Sequence, residues 1–176
     1  MQYMIKAGVL YKSDSQTALA KIKSIFIGSL KRIQKMTGEL LLEISIRCLD
    51  ESKVNTGDVR NREYILTDSK GSLVGYARPG YADGDDPDEV GWPICRMPKV
   101  DHAYMSVDGI DYVLTMHNSQ NYSLTDTNNS EVLHIIHKGI AGGWTLEDRC
   151  GFAPEMLCGI FAICRCIEQE NEFSSV

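Results

Sequence analysis

The sequence predicts a mainly β domain, a closed antiparallel barrel with one apolar helix at its centre. Three observations predict it. Strand–turn–strand chemistry recurs at short spacing. One unbroken run of strands would leave exposed edges unless its sheet closed. A C-terminal segment is apolar on every side yet too short to cross a bilayer. The 176 residues, 43% hydrophobic and 24% charged, suit a single globular domain with its own core.

The hairpins come first. Tyr64-Ile-Leu-Thr-Asp-Ser-Lys-Gly-Ser-Leu-Val-Gly-Tyr and Tyr122-Ser-Leu-Thr-Asp-Thr-Asn-Asn-Ser-Glu-Val-Leu-His share one pattern. Each reads Tyr-x-Leu-Thr-Asp, then a polar turn, then an apolar run. Tyr, Leu and Thr favour a pleated surface. The Asp bonds its own backbone two residues on, and Gly71 or Asn128-Asn129 supplies positive φ. A fainter copy runs from Leu30 to Ile44 and turns at Thr37-Gly38. A fourth hairpin turns at Asp108-Gly109, the dipeptide of a two-residue type I′ turn. Strands at about 99–107, 110–117, 120–125 and 131–138 then form a meander, whose edges closure into a barrel removes.

Two segments are less regular. Residues 12–29 offer a short helix from Ser15 or a strand from about Ile22, and the β-branched run near Ile22 favours the strand. The loop from Ala82 to Pro93, with Pro79, Gly80, Gly84, Pro87, Gly91 and Pro93 interrupting any regular ladder, reads as a surface excursion between two halves of one barrel.

The pattern changes after Trp144. Pro154 suits a first helical turn, with Glu155 near the positive end of the dipole. From Met156 to Ile167 only Arg165 is charged. A helix apolar on every face must be surrounded. Twelve residues span about 18 Å, short of a bilayer and suited to a barrel lumen. The helix, expected over about 153–169, would emerge in solvated Glu168-Gln-Glu-Asn-Glu. Of the six cysteines (48, 95, 150, 158, 164 and 166), three lie in this helix, which favours reduced, buried thiols over a disulfide framework.

Repeated Tyr-x-Leu-Thr-Asp…Gly hairpins followed by one apolar helix that ends in acidic residues resemble the tubby C-terminal-like superfamily. The likeness is nearest to its small LURP-one-related and scramblase-like members and covers about residues 22–172. The resemblance implies a twelve-stranded barrel around a central hydrophobic helix. It also implies phosphoinositide binding on the barrel surface, or membrane association. No stretch aligns residue by residue with the tubby headgroup site, so no binding residue is carried over.

Net charge is −6, against general nucleic-acid binding. The charge is uneven. Residues 1–35 hold seven basic residues against Asp14 alone, a balance of +6; the remainder holds eleven basic and twenty-three acidic, a balance of −12. Lys21, Lys23, Lys31, Arg32 and Lys35 are therefore the candidate ligand-binding residues. Alternation along strands would put Lys21 with Lys23, and Lys31 with Lys35.

Other chemistries fare worse. His134 and His137 fall on opposite faces of a strand, unsuited to a shared metal. Cys164 and Cys166 do not face each other on a helix. Cys150 lacks a base, and no Gly-x-Ser-x-Gly elbow exists. Asp83, Asp85, Asp86, Asp88 and Glu89 lack the spacing of a calcium loop and read as a solvated loop. The expectation is a non-enzymatic barrel with no metal and no cofactor. It binds an anionic lipid headgroup or membrane surface, or else a partner protein, which an apolar patch at Trp92 or Trp144 would mark. The N-terminus lacks a signal-peptide pattern, so the expected location is cytoplasmic, at most peripheral to a membrane.

Overall fold

Inward alternation along each strand, Tyr3 and Ile5, Leu42 and Ile44, Tyr64 and Leu66, Leu133 and Ile135, puts one apolar residue in two on a common face. That face closes on itself. In the computed structural model, which describes residues 1–24, 31–54, 58–86, 98–139 and 142–172 apart from the side chains of 170 and 172, twelve strands form a barrel. They are β1 (Gln2–Lys6), β2 (Val9–Lys12), β3 (Ala18–Ser24), β4 (Lys31–Gln34), β5 (Leu40–Cys48), β6 (Arg62–Asp68), β7 (Leu73–Tyr81), β8 (Val100–Val107), β9 (Ile110–Asn118), β10 (Asn121–Asp126), β11 (Glu131–His137) and β12 (Trp144–Asp148). Each pairs antiparallel with its sequence neighbours, and β1 meets β12 from Gln2↔Glu147 to Ile5↔Trp144. An even number of strands lets an up-and-down meander close with no parallel seam.

The repeat is a repeat in structure. Asp68 Oδ1 accepts the backbone N–H groups of Lys70 and Ser72 at 2.9 and 2.8 Å, and Asp126 Oδ1 accepts those of Asn128 and Ser130, both at 2.9 Å. Gly71 and Asn129 take the positive φ, at 82° and 59°. Each hairpin carries a register shift beside its Leu-Thr pair. The fainter copy turns the same way, with Lys35 N bonded to Glu39 O at 2.8 Å and Gly38 at φ 99°. At the fourth turn Asp108 and Gly109 both have positive φ, 50° and 78°, as type I′ requires.

Helix α1 (Pro154–Glu172) fills the lumen. Leu157, Cys158, Ile160, Ile163 and Cys164 are wholly buried. The helix packs on β3, β4, β5 and β8, its Phe161 lies 5.2 Å from the ring of Trp144 on β12, and Tyr122 on β10 donates to Glu168 at 2.8 Å. Strands all around the barrel therefore touch it. The approach is tight at Gly159, where an added Cβ would lie 2.9 Å from Leu66 Cδ2. Among the described residues no helix is long and apolar enough to cross a membrane.

Four expectations are corrected. The strand in the ambiguous segment starts at Ala18, ahead of Ile22, because Ala18, Ala20 and Lys21 pair with β2; residues 25–29 lie outside the described set. Pro79 and Gly80 sit within β7. Beyond Ala77 that strand pairs with β8 alone, and an edge tolerates a missing N–H. The helix end is anchored instead of solvated: Glu168 is buried, and the Asn171 amide exchanges two 2.9 Å bonds with the backbone of Val100. Trp144 marks no exposed patch; it packs against Phe161, His137 and Tyr122. Trp92 lies outside the described residues.

Two outcomes follow from this packing. Ile160→Asp or Ile163→Asp places an unpaired charge in a dry lumen, so neither variant is expected to give soluble, cooperatively melting protein; a sharp melt by circular dichroism would contradict an internal helix. The Asp68 carboxyl is held below the usual range, foremost by the Ser72 backbone N–H. Its depressed folded pKa gives stability above the unfolded value of about 4, lost as pH falls through the folded one. The melting-temperature gap between wild type and Asp68→Ala is expected to narrow from pH 7 to pH 3, and an equal gap at both would refute it.

Candidate functional site

Burial of Ala20 and Ile33 fixes the faces of β3 and β4. Lys21 and Lys23 then point outward from β3 and Arg32 from β4. Lys23 stands directly opposite Arg32, and Lys21 opposite Gln34. Lys31 shares the inward parity of Ile33 at the strand end and donates to Ser24 Oγ at 2.8 Å. Lys35 lies beyond β4 in the turn, bound to both Glu39 oxygens at 2.9 and 2.8 Å. Lys31 and Lys35 therefore do not join the other three on one face.

Arg32 leans the other way, to Glu43 on β5 at 2.9 Å. Lys21 Nζ donates to the Met36 carbonyl at 3.2 Å. Lys23 is exposed and has no hydrogen-bond or ion-pair partner among the described residues. Like charges directly opposite in a sheet repel, so the Lys23–Arg32 pair concentrates positive potential on this face.

The same outer surface continues into a cluster that sequence reading did not find. Glu63, on β6 and facing outward, is only 1% exposed because two arginines cover it. Arg47 on β5 contacts Oε2, and Arg78 on β7 donates to Oε1 at 2.7 Å. The triad keeps one net positive charge. Arg78 also lies 5.1 Å over the ring of Tyr76. Its cross-strand neighbour Tyr104 is 60% exposed. Together with Asp111, Val113, Asp126 and Thr127 these residues line a half-open groove of about 340 Å³ on β7–β10. No local motif announces this groove, since it arises from the register of four strands.

The remaining candidates are held in local contacts. Burial pushes the Cys158 thiol up to about 12 and the Cys164 thiol up as well, so both stay protonated and inert. The exposed Cys150 lies 3.9 Å from the Tyr112 hydroxyl, which burial, aided by Cys150, pushes up to about 12. His134 bonds Asn121 at 2.8 Å, and His137 packs at a tilt against Trp144, on the opposite side of β11. The acidic loop is not fully solvated: Asp85 is buried and accepts Lys99 N–H at 3.1 Å, and Asp86 takes the Arg60 guanidinium at 3.0 Å. Asp83 is exposed, while Asp88 and Glu89 lie outside the described residues. Among the described residues no group of three or more His, Cys, Asp or Glu is placed to hold a metal ion.

Glu63 is the keystone of the outer triad. Glu63→Ala is expected to lower unfolding stability by about 1–3 kcal/mol, less than for a fully buried pair because both arginines can turn to water. Arg47→Ala is expected to cost under about 1 kcal/mol, since Arg78 still pairs with Glu63. Urea denaturation measures both, and equal losses would contradict the triad. No protein-family model, curated protein or solved structure matches the chain.

Proposed function

We propose that this chain is a tubby-like barrel that binds rather than catalyses. It lies peripherally on the cytoplasmic face of a membrane and takes an anionic lipid headgroup on the outer face of β3 and β4. The observation that carries this reading is the directly opposed Lys23–Arg32 pair, with Lys21 beside it on the same face. Among the described residues one carboxylate, Glu43, answers the three cations directly. Each basic residue near an anionic leaflet contributes roughly 1 kcal/mol. The charge asymmetry of the first 35 residues supports the same orientation.

A second reading, a protein-interaction module, is favoured by one feature of the rim where α1 begins. Leu73 and Ile110, each 56% exposed, stand on adjoining hairpins tied by the bond from Asp108 N to Val74 O. Beside them opens a mouth of about 380 Å³ lined by Leu41, Val74 and Phe152, with Asp68, Asp108 and Glu155 around it. Apolar residues ringed by carboxylates suit a basic protein partner.

Co-sedimentation with vesicles containing phosphatidylserine or phosphoinositide decides between the readings. Wild type is expected to bind at low salt and more weakly at 150 mM. Lys21→Glu/Lys23→Glu is expected to weaken binding at least about thirtyfold at low salt, from two lost contributions of that size. Binding that ignores both salt and the double variant would sink the headgroup reading.

A further inference from the structure

The groove on β7–β10 is chemically different from the basic face. Its walls are the rings of Tyr76 and Tyr104 with Val113 between strands β8 and β10. At one end is Arg78, part of a triad that keeps one positive charge. At the other end are Asp111, which is exposed, and Asp126, whose Oδ1 is used by its own turn and whose second oxygen is not. Asp111 lies two strands from Arg78 and Asp126 three, about 10 and 14 Å by sheet spacing.

Each simple ligand class meets a penalty here. A plain anion that approaches Arg78 meets two carboxylates. A plain cation that approaches the carboxylates meets the arginine. An apolar ligand would desolvate these charged groups and offer them no new partner. A molecule with one group of each sign satisfies both ends at once. Tyr104 is 60% exposed, with the His102 ring set at 83° to its own at 5.3 Å, and aromatic rings attract quaternary ammonium groups. Arginine offers a planar fork that matches tetrahedral oxyanions. The volume suits a small ligand.

We infer that this groove binds a small zwitterion of the phosphocholine class, its ammonium over Tyr104 and beside Asp111 and Asp126, its phosphate toward Arg78. The site is separate from the Lys21–Lys23–Arg32 face and does not depend on it. The phosphodiester headgroup is neutral overall, so its binding is far less sensitive to salt than binding at the basic face; free phosphocholine, a monoester, keeps about one net negative charge at pH 7. The same chemistry occurs in a free phosphocholine and in the headgroup of phosphatidylcholine.

The test is a titration of the protein with phosphocholine, followed by heteronuclear NMR, with tetramethylammonium and inorganic phosphate as partial ligands. Saturable shifts at Tyr76, Tyr104, Asp111 and Val113 are expected, with each partial ligand weaker. Tyr104→Ala and Asp111→Asn are each expected to weaken phosphocholine about fivefold, the size of one half-exposed cation–π or charge contact. Arg78→Gln is expected to bring phosphocholine down to the level of tetramethylammonium. Both Tyr104 and Asp111 are exposed, so these variants keep the fold, which circular dichroism checks. The Lys21→Glu/Lys23→Glu variant is expected to bind phosphocholine unchanged, which separates this site from the basic face. Phosphatidylcholine vesicles that compete with phosphocholine identify a lipid headgroup as the source; vesicles that do not compete identify a soluble ligand. Absence of saturable shifts, or equal affinity in Tyr104→Ala, would each overturn the assignment.

Discussion

An α-helix that is apolar on every side is the constraint on which the structure depends. From Met156 to Ile167 the helix offers no face to water, so β-sheet must surround it. An open sheet covers one side only. Closure of β1 on β12 covers the rest, and it removes the edges that a long meander would expose. The few polar groups near the lumen are arranged around this demand. Arg165, the one charge within the apolar run, sits over Trp144 and contacts Glu168, whose other contact is the Tyr122 hydroxyl. Small residues then set how close the layers come. Gly159 allows contact with Leu66 that an alanine would crowd.

A filled lumen has a consequence for function. The void beside Cys164, between Leu114, Met116, Tyr122 and Ile167, has no volume that a water molecule can occupy. Barrels that carry ligands inside leave the interior hollow; this one spends its interior on its own helix. The exterior meanwhile carries ion pairs across neighbouring strands, Arg32 with Glu43 and Arg47 with Glu63 and Arg78. That polarity is the reverse of a membrane-spanning barrel, which turns an apolar band outward.

Sequence reading reached what is local. The Asp68, Asp126 and Asp108-Gly109 turns were legible because a side-chain oxygen and a positive φ act within five residues. The helix was legible because twelve residues without polar alternation have one explanation. Its last turn was not, because Glu168 and Asn171 look solvated until their distant partners, Tyr122 and Val100, are in place. The basic cluster was half legible. Proximity in sequence suggested five residues, but burial of Ile33 sends Lys31 to the inner parity and leaves Arg32 outside. The register shift between Ile33 and Gln34 then carries Lys35 into the turn.

The parts of the surface that sequence could not show share one cause. Glu63 gains its partners from strands 16 and 15 residues away, and the Tyr76–Tyr104 groove gathers residues from 76 to 127. Such neighbours exist only once register is fixed, and register is fixed by inward-facing residues that take no part in the outer chemistry. The lumen therefore specifies the exterior indirectly. Each buried Leu or Ile that locks a strand against α1 also locks its outward neighbour opposite a particular residue on the next strand. A one-residue slip of β7 against β6 would turn Arg78 inward and uncover Glu63, and it would cost the burial of Ala77 as well. Selection for a packed helix and for a particular outer pattern thus act on the same registers, which is how a surface assembled from distant residues can be held in place by a core that never touches a ligand.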